Sequence, residues 1–170
     1  GGPGAAEPFG VFWPALIESS LVPMDVVVGG KRTVVDNTPH TAADPLEIPS
    51  PDLSSVATGP TSAVPLGRLF GARSGDKGPN ANLGVFARSP EAYAWLADFL
   101  TVDQLGRLMP EAAEREVDRY DLPNILSLNF IFHGLLEEGV AASTRQDPQA
   151  KALGEYLRAK IVEIPDALLA

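Results

Sequence analysis

The chain has 170 residues, 45% of them hydrophobic and 21% charged. That suits one domain with at most a short annex, and it excludes wholesale disorder. With 22 acidic against 13 basic residues the net charge is −9, which excludes a diffuse basic surface for nucleic acid or anionic lipid but leaves room for a local cationic cluster.

In chain order, the start Gly1-Gly2-Pro3-Gly4 carries no initiator Met and runs into the aromatic stretch Phe9-Gly10-Val11-Phe12-Trp13, which reads as the interior of a longer protein. Met24 to Val28 and Lys31 to Val35 are β-branched runs around Gly29-Gly30, the pattern of a β-hairpin with a primed turn. Residues 37–63 hold Pro39, Pro45, Pro49, Pro51 and Pro60. They are expected to form a linker or extended arm without a long helix or central strand. The main domain is expected at 64–170.

Within that domain, Val64 to Ala72 reads as a strand, Arg73 to Asn80 as a polar loop and Asn82 to Ala87 as a second strand. Ser89-Pro90-Glu91 is a helix start, followed by an apolar face of Ala92, Trp95, Leu96, Phe99 and Leu100; Thr101 starts a second helix through Met109. Glu116 to Asp121 is a short strand. Pro123 to Glu138, with Ile125, Leu128, Phe132 and Leu136 in one stripe, reads as a buried helix closed by Gly139. Pro148 to Lys160 is a last helix and Ile161 to Ile164 a last strand. Mixed elements without regular β-α-β repetition predict an α+β fold, with helices on one face of a mostly antiparallel sheet.

The chain has no cysteine, and its histidines are His40 and His133. Disulfides, thiolate catalysis and Cys- or His-rich metal sites are therefore excluded. No apolar run reaches the ~20 residues of a membrane span, and no signal peptide pattern is visible. No membrane or nucleic-acid partner and a cytoplasmic location are expected. No cofactor is called for.

The densest polar run is Arg73-Ser74-Gly75-Asp76-Lys77-Gly78-Pro79-Asn80-Ala81-Asn82. Two readings stand. Gly75 and Gly78 could let backbone N–H groups converge on an anion, with Arg73 forking onto a phosphate or carboxylate; or the run is a solvated hairpin loop. Ser74 and Lys77 match S-x-x-K spacing, but the glycines and Pro79 deny the helix start which that motif needs. A second cluster is Arg119-Tyr120-Asp121-Leu122-Pro123-Asn124, with Asn129 in the expected helix and His133 one turn on. A buried Asn129 needs a partner, either loop backbone or a ligand. Arg145 is a third candidate anion contact.

The stretches Val64 to Gly67, Ala72-Arg73-Ser74-Gly75-Asp76-Lys77-Gly78, Asn80 to Val85, Arg119 to Asn124, Leu128-Asn129-Phe130 and Leu135 to Arg145 resemble the C-terminal domain of the AtuA (acyclic terpene utilisation) family. Residues 1–36 resemble the closing part of that family's larger N-terminal domain. The resemblance implies a ferredoxin-like fold for 64–170, a remnant of the larger domain at 1–36, and a role in catabolism of acyclic terpenoids through branched acyl-CoA intermediates. The resemblance points to the pathway rather than to a reaction; a lyase, hydratase or hydrolase part acting on a branched acyl-CoA is the expected enzyme class, with a CoA thioester as substrate rather than cofactor. Arg73, Ser74, Asp76, Lys77, Asn80, Asn82, Arg119, Tyr120, Asn124 and Asn129 match the family pattern.

The first reading is therefore part of an enzyme that helps form a carboxylate or acyl-CoA site. Asp76 and Lys77 are its catalytic candidates, Asp76 as general base. Arg73, Ser74, Asn80, Asn82, Arg119, Tyr120, Asn124, Asn129 and Arg145 are its ligand-binding candidates. The rival reading is a structural or oligomerisation module whose arm and Phe9, Phe12 and Trp13 dock on partner subunits. The expected partners are the missing N-terminal domain or other subunits, a small acid or acyl-CoA, and further copies of the chain.

Overall fold

The computed structural model describes residues 2, 4–8, 10, 15–35 and 56–170, and the chain divides into two units, Trp13–Ile48 and Gly1–Phe12 with Pro49–Ala170. Phe9, Phe12, Trp13, His40 and most of the expected arm lie outside the described residues. In the smaller unit β1 (Met24–Val28) pairs antiparallel with β2 (Lys31–Val35), Met24 opposite Val35. Gly29 and Gly30 have φ of 57° and 79°, the two positive values a primed two-residue turn requires. Arg32 forms an ion pair with Asp25 across the hairpin.

In the larger unit β3 (Thr61–Pro65) begins inside the last residues of the expected arm, and a 3-10 turn over Leu66–Arg68 follows. The chain continues through β4 (Gly71–Lys77), β5 (Asn80–Phe86), α1 (Pro90–Phe99), α2 (Val102–Leu108), α3 (Pro110–Ala113), β6 (Val117–Leu122), β7 (Ser127–Phe132), α4 (Leu153–Arg158) and β8 (Ile161–Pro165). β3 pairs with β8, and the other four strands form an antiparallel sheet in the order β4-β5-β7-β6. Ser89 and Thr101 start α1 and α2 as their sequence demands: Ser89 Oγ accepts from Ala92 N at 3.2 Å and Thr101 Oγ1 from Gln104 N at 3.1 Å.

The sheet has one apolar face. Ala81, Leu83 and Val85 on β5 and Leu128, Phe130 and Phe132 on β7 are all buried, in one cluster with Tyr93, Trp95, Leu96, Leu105, Leu153 and Leu157 from the helices. Trp95 stacks between Phe70 and Phe99, with ring centroids 5.6 and 4.5 Å away. The fold is α+β with the helices on one side of the sheet, as the sequence predicts.

Four expected elements are corrected. The strand expected at Val64 to Ala72 is broken by the 3-10 turn. The polar run is no loop: Arg73 to Lys77 belong to β4, and the turn is confined to Gly78 and Pro79. A backbone nest at Gly75 and Gly78 is thereby ruled out, because Gly75 sits in ladder register opposite Asn82. The helix expected at Pro123 to Glu138 is a 3-10 turn at Pro123–Ile125, a left-handed Leu126 (φ 51°), β7, and turns leading to Gly139. Ser127-Leu-Asn-Phe-Ile-Phe132 buries every second residue, so the period of two wins over the period of 3.6. The last helix shortens to Leu153–Arg158, because the Asp147 carboxylate takes the N–H groups of Lys151 and Ala152, both at 2.8 Å, and holds a turn there.

Candidate functional site

The other face of the four-stranded sheet is polar, and the ladder register fixes which side chains share it. Arg73, Gly84, Asn129 and Tyr120 form one row across the four strands, and Gly75, Asn82, Ile131 and Asp118 the next. Lys77 and Asn80 face each other one step further along. Six of the residues singled out from sequence, Arg73, Lys77, Asn80, Asn82, Tyr120 and Asn129, thus lie on a single surface. Side chains alternate across a strand, so Ser74, Asp76 and Arg119 point to the opposite side.

At the β4 end the surface is cationic. A Cβ at Gly75 would lie 3.3 Å from Lys151 Nζ, 3.8 Å from Asn82 Oδ1 and 3.9 Å from Lys77 Nζ. Lys77 Nζ donates to the Asp76 carbonyl at 2.9 Å, and Lys151 Nζ is 3.8 Å from Asp76 Oδ1. The exposed Arg73 has no hydrogen-bond or ion-pair partner among the described residues. In the middle, Asn82 Nδ2 donates to Asn129 Oδ1 at 3.1 Å, which answers the demand of the half-buried Asn129 for a partner. The remaining polar atoms of the two amides are available to a ligand. Asn80 Oδ1 accepts from Gly134 N at 2.9 Å and fixes the turn after β7.

At the β6 end, His133 Nε2 meets Asp118 Oδ2 at 2.8 Å, and the Tyr120 hydroxyl donates to the same oxygen at 3.3 Å. The hydrogen bond from His133 is the main reason the Asp118 carboxyl is held below its ordinary range; the charge of His133 and the Tyr120 hydroxyl add to it, and desolvation opposes. The Asp118 charge in turn pushes the Tyr120 phenol up. Because the folded value of Asp118 lies below the unfolded value of about 3.9, its contribution to stability is present above that pH and is lost as pH falls through the folded value. His133→Ala should bring the Asp118 titration, followed by carboxyl ¹³C NMR, back up toward the ordinary value. An unmoved titration would show that His133 is not its cause.

The remaining candidates sit elsewhere. Ser74 Oγ donates to the Lys151 carbonyl at 3.1 Å and accepts from Gly154 N at 3.0 Å, tying the turn before α4 to β4. Arg119 donates to the carbonyls of Ala97 and Leu100 at 2.8 and 3.2 Å and to Asp121 at 2.6 Å, so it closes the C-terminal end of α1. Asn124 is exposed in the 3-10 turn and caps no helix. Arg145 faces Glu111, at 4.0 Å, in a cleft with Asp147, Leu153 and Tyr156 on the helical side.

Lys151 and Asp118 are not legible in the sequence as members of this surface, since only the long-range register and the turn before α4 bring them there. Among the described residues no group of three or more carboxylates and histidines could hold a metal ion, and no helix is long and apolar enough to cross a membrane.

The AtuA ferredoxin-like domain family matches residues 64–163. Neither the curated proteins nor the solved structures provide a match.

Proposed function

Because the chain belongs to the AtuA ferredoxin-like domain family, we propose that the polar face of its sheet forms the carboxylate or acyl-CoA site of a catabolic protein for acyclic terpenoids or branched acids. The observation that carries this reading is the shared face of Arg73, Lys77, Asn80, Asn82, Tyr120 and Asn129. A solvated surface has no need to gather an unpaired Arg, two amides bonded to each other and a Lys on alternate residues of neighbouring strands. Arg73 holds the acid group with its planar fork, and the Asn82–Asn129 pair orients a carbonyl or hydroxyl beside it. Asp76 points away from this face and acts on it through Lys151.

The test is a ¹H–¹⁵N titration of the full chain with 3-methylbutanoate and with its CoA thioester. Shifts are expected on β4, β5 and β7. Arg73→Met should weaken binding about tenfold, as loss of a charge-assisted hydrogen bond does, with melting unchanged. The absence of any shift on these strands at millimolar ligand would reject the site and leave the assembly module as the better reading.

A further inference from the structure

We infer that Gly84 is the floor of a seat for the hydrocarbon branch of a short carboxylic acid, with Phe86 as its apolar wall and Arg73 on the acid group. The inference rests on the polar face being an acid site and adds where the apolar part of the ligand lies. Gly84 stands in the middle of β5, a central strand, between Arg73 on β4 and Asn129 on β7. A glycine there weakens a strand, since it loses the most conformational freedom on folding and has no side chain to pack. The other two glycines of this face have local reasons. Gly71 lies under the Phe86 ring, which a Cβ would strike, and Gly75 faces Lys151 Nζ at 3.3 Å from where its Cβ would stand. Gly84 has no such reason. Its φ is not positive, and a Cβ would meet the Arg73 carbonyl oxygen at 3.7 Å and Asn129 Oδ1 at 4.0 Å, both ordinary contacts. No other described atom from outside its own stretch of chain comes within 4 Å of that point, so the space is open. A local rule broken without a structural need points to a ligand that approaches the backbone closely.

The ladder register names the rim of this space. Phe86 and Asn82 flank Gly84 along β5, and Arg73 and Asn129 flank it on the neighbouring strands. Phe86 is 38% exposed, and its ring leans across β4 onto Gly71, so an apolar surface stays open beside Arg73. Arg73 is the one ionisable side chain of these four, which suits a monoanion. Asn82 and Asn129 are bonded to each other at 3.1 Å and hold the opposite rim in place. Neighbouring strands are ~4.8 Å apart, a distance that a short acyl chain spans. With its carboxylate on the Arg73 fork, such a chain carries its branch over Gly84 and against Phe86.

The test uses the full chain and two acids, 3-methylbutanoate and acetate, which share the carboxylate and differ in the branch. By ¹H–¹⁵N titration 3-methylbutanoate is expected to shift the amides of Gly84 and Phe86 and to bind about tenfold tighter than acetate, as partial burial of its extra carbons gives. Gly84→Val fills the seat with a residue that a strand favours. The preference for 3-methylbutanoate should then fall to near one, while the melting temperature rises by roughly 2–4 °C. Gly84→Ala, whose methyl group takes up part of the space, should fall between. A Gly84→Val variant that keeps the preference would overturn the seat, because the branch then lies elsewhere. A lowered melting temperature would overturn it too, because the fold itself then needs the glycine. Either result leaves the proposed function standing if Arg73→Met still weakens 3-methylbutanoate. Binding of neither acid to the unsubstituted chain would reject the proposed function, and the seat with it.

Discussion

Truncating Phe130 to alanine is expected to lower the stability of the larger unit by about 3–5 kcal/mol, the range for removing a large aromatic side chain from a packed core. Phe130 is fully buried in the middle of β7, directly opposite Leu83 on one neighbouring strand and Arg119 on the other. Both neighbours are pinned by their own ladders, so the sheet cannot close over the hole. Urea unfolding of the variant measures the loss. The result also separates strand from helix. In a helix over Pro123 to Glu138 with its stripe at Ile125, Leu128, Phe132 and Leu136, Phe130 would project from the opposite side, and its truncation would cost little. A loss well under ~2 kcal/mol would contradict the strand.

Arg119→Met should destabilise by about 1.5–3 kcal/mol, the worth of hydrogen bonds to a charged group, while leaving the polar face able to bind. Met keeps much of the stem but strands the carbonyls of Ala97 and Leu100 at the end of α1, where a cation also complements the helix dipole. The partner Asp121 is half exposed, so its ion pair adds little. Thermal melting and the 3-methylbutanoate titration, run on the same sample, give both answers. Unchanged melting with lost binding would place Arg119 among the ligand-binding residues after all.

Much of this fold is written locally. Ser89-Pro90-Glu91 and Thr101 state where two helices begin, Gly29-Gly30 states a hairpin, and Ile161 to Ile164 reads as strand without help from elsewhere. The errors fall where two periods coexist. Between Ile125 and Leu136 apolar residues satisfy both a helical stripe and a strand alternation, and only pairing with β5 and β6 decides. The run from Arg73 to Lys77 reads as a loop because a strand with a polar face carries few apolar residues. For the same reason the sequence identifies the candidate residues but does not sort them. Arg73 and Ser74 are equally polar neighbours, yet one meets solvent and the other ties down the turn that holds Lys151. Asp118 and Tyr120 give no local sign that they gather around His133.

The register of the four-stranded sheet has a consequence for how such a chain can change over time. Core and polar surface are written on the same strands in opposite phase: Leu83 and Asn82, Phe130 and Asn129, Ser74 and Arg73 are immediate neighbours. Substitution can tune either surface alone. Deleting one residue inside β5 or β7 would exchange the two, turning Asn82 or Asn129 into the apolar layer and Leu83 or Phe130 out to water. Length variation is therefore barred from these strands and confined to the turns that join them. Of these, the Gly78-Pro79 turn is itself tied down, its Pro79 carbonyl accepting from the N–H of the buried Leu136 at 2.8 Å, so this hairpin tip keeps its length too and the arrangement of Arg73, Lys77, Asn82 and Asn129 is fixed with it.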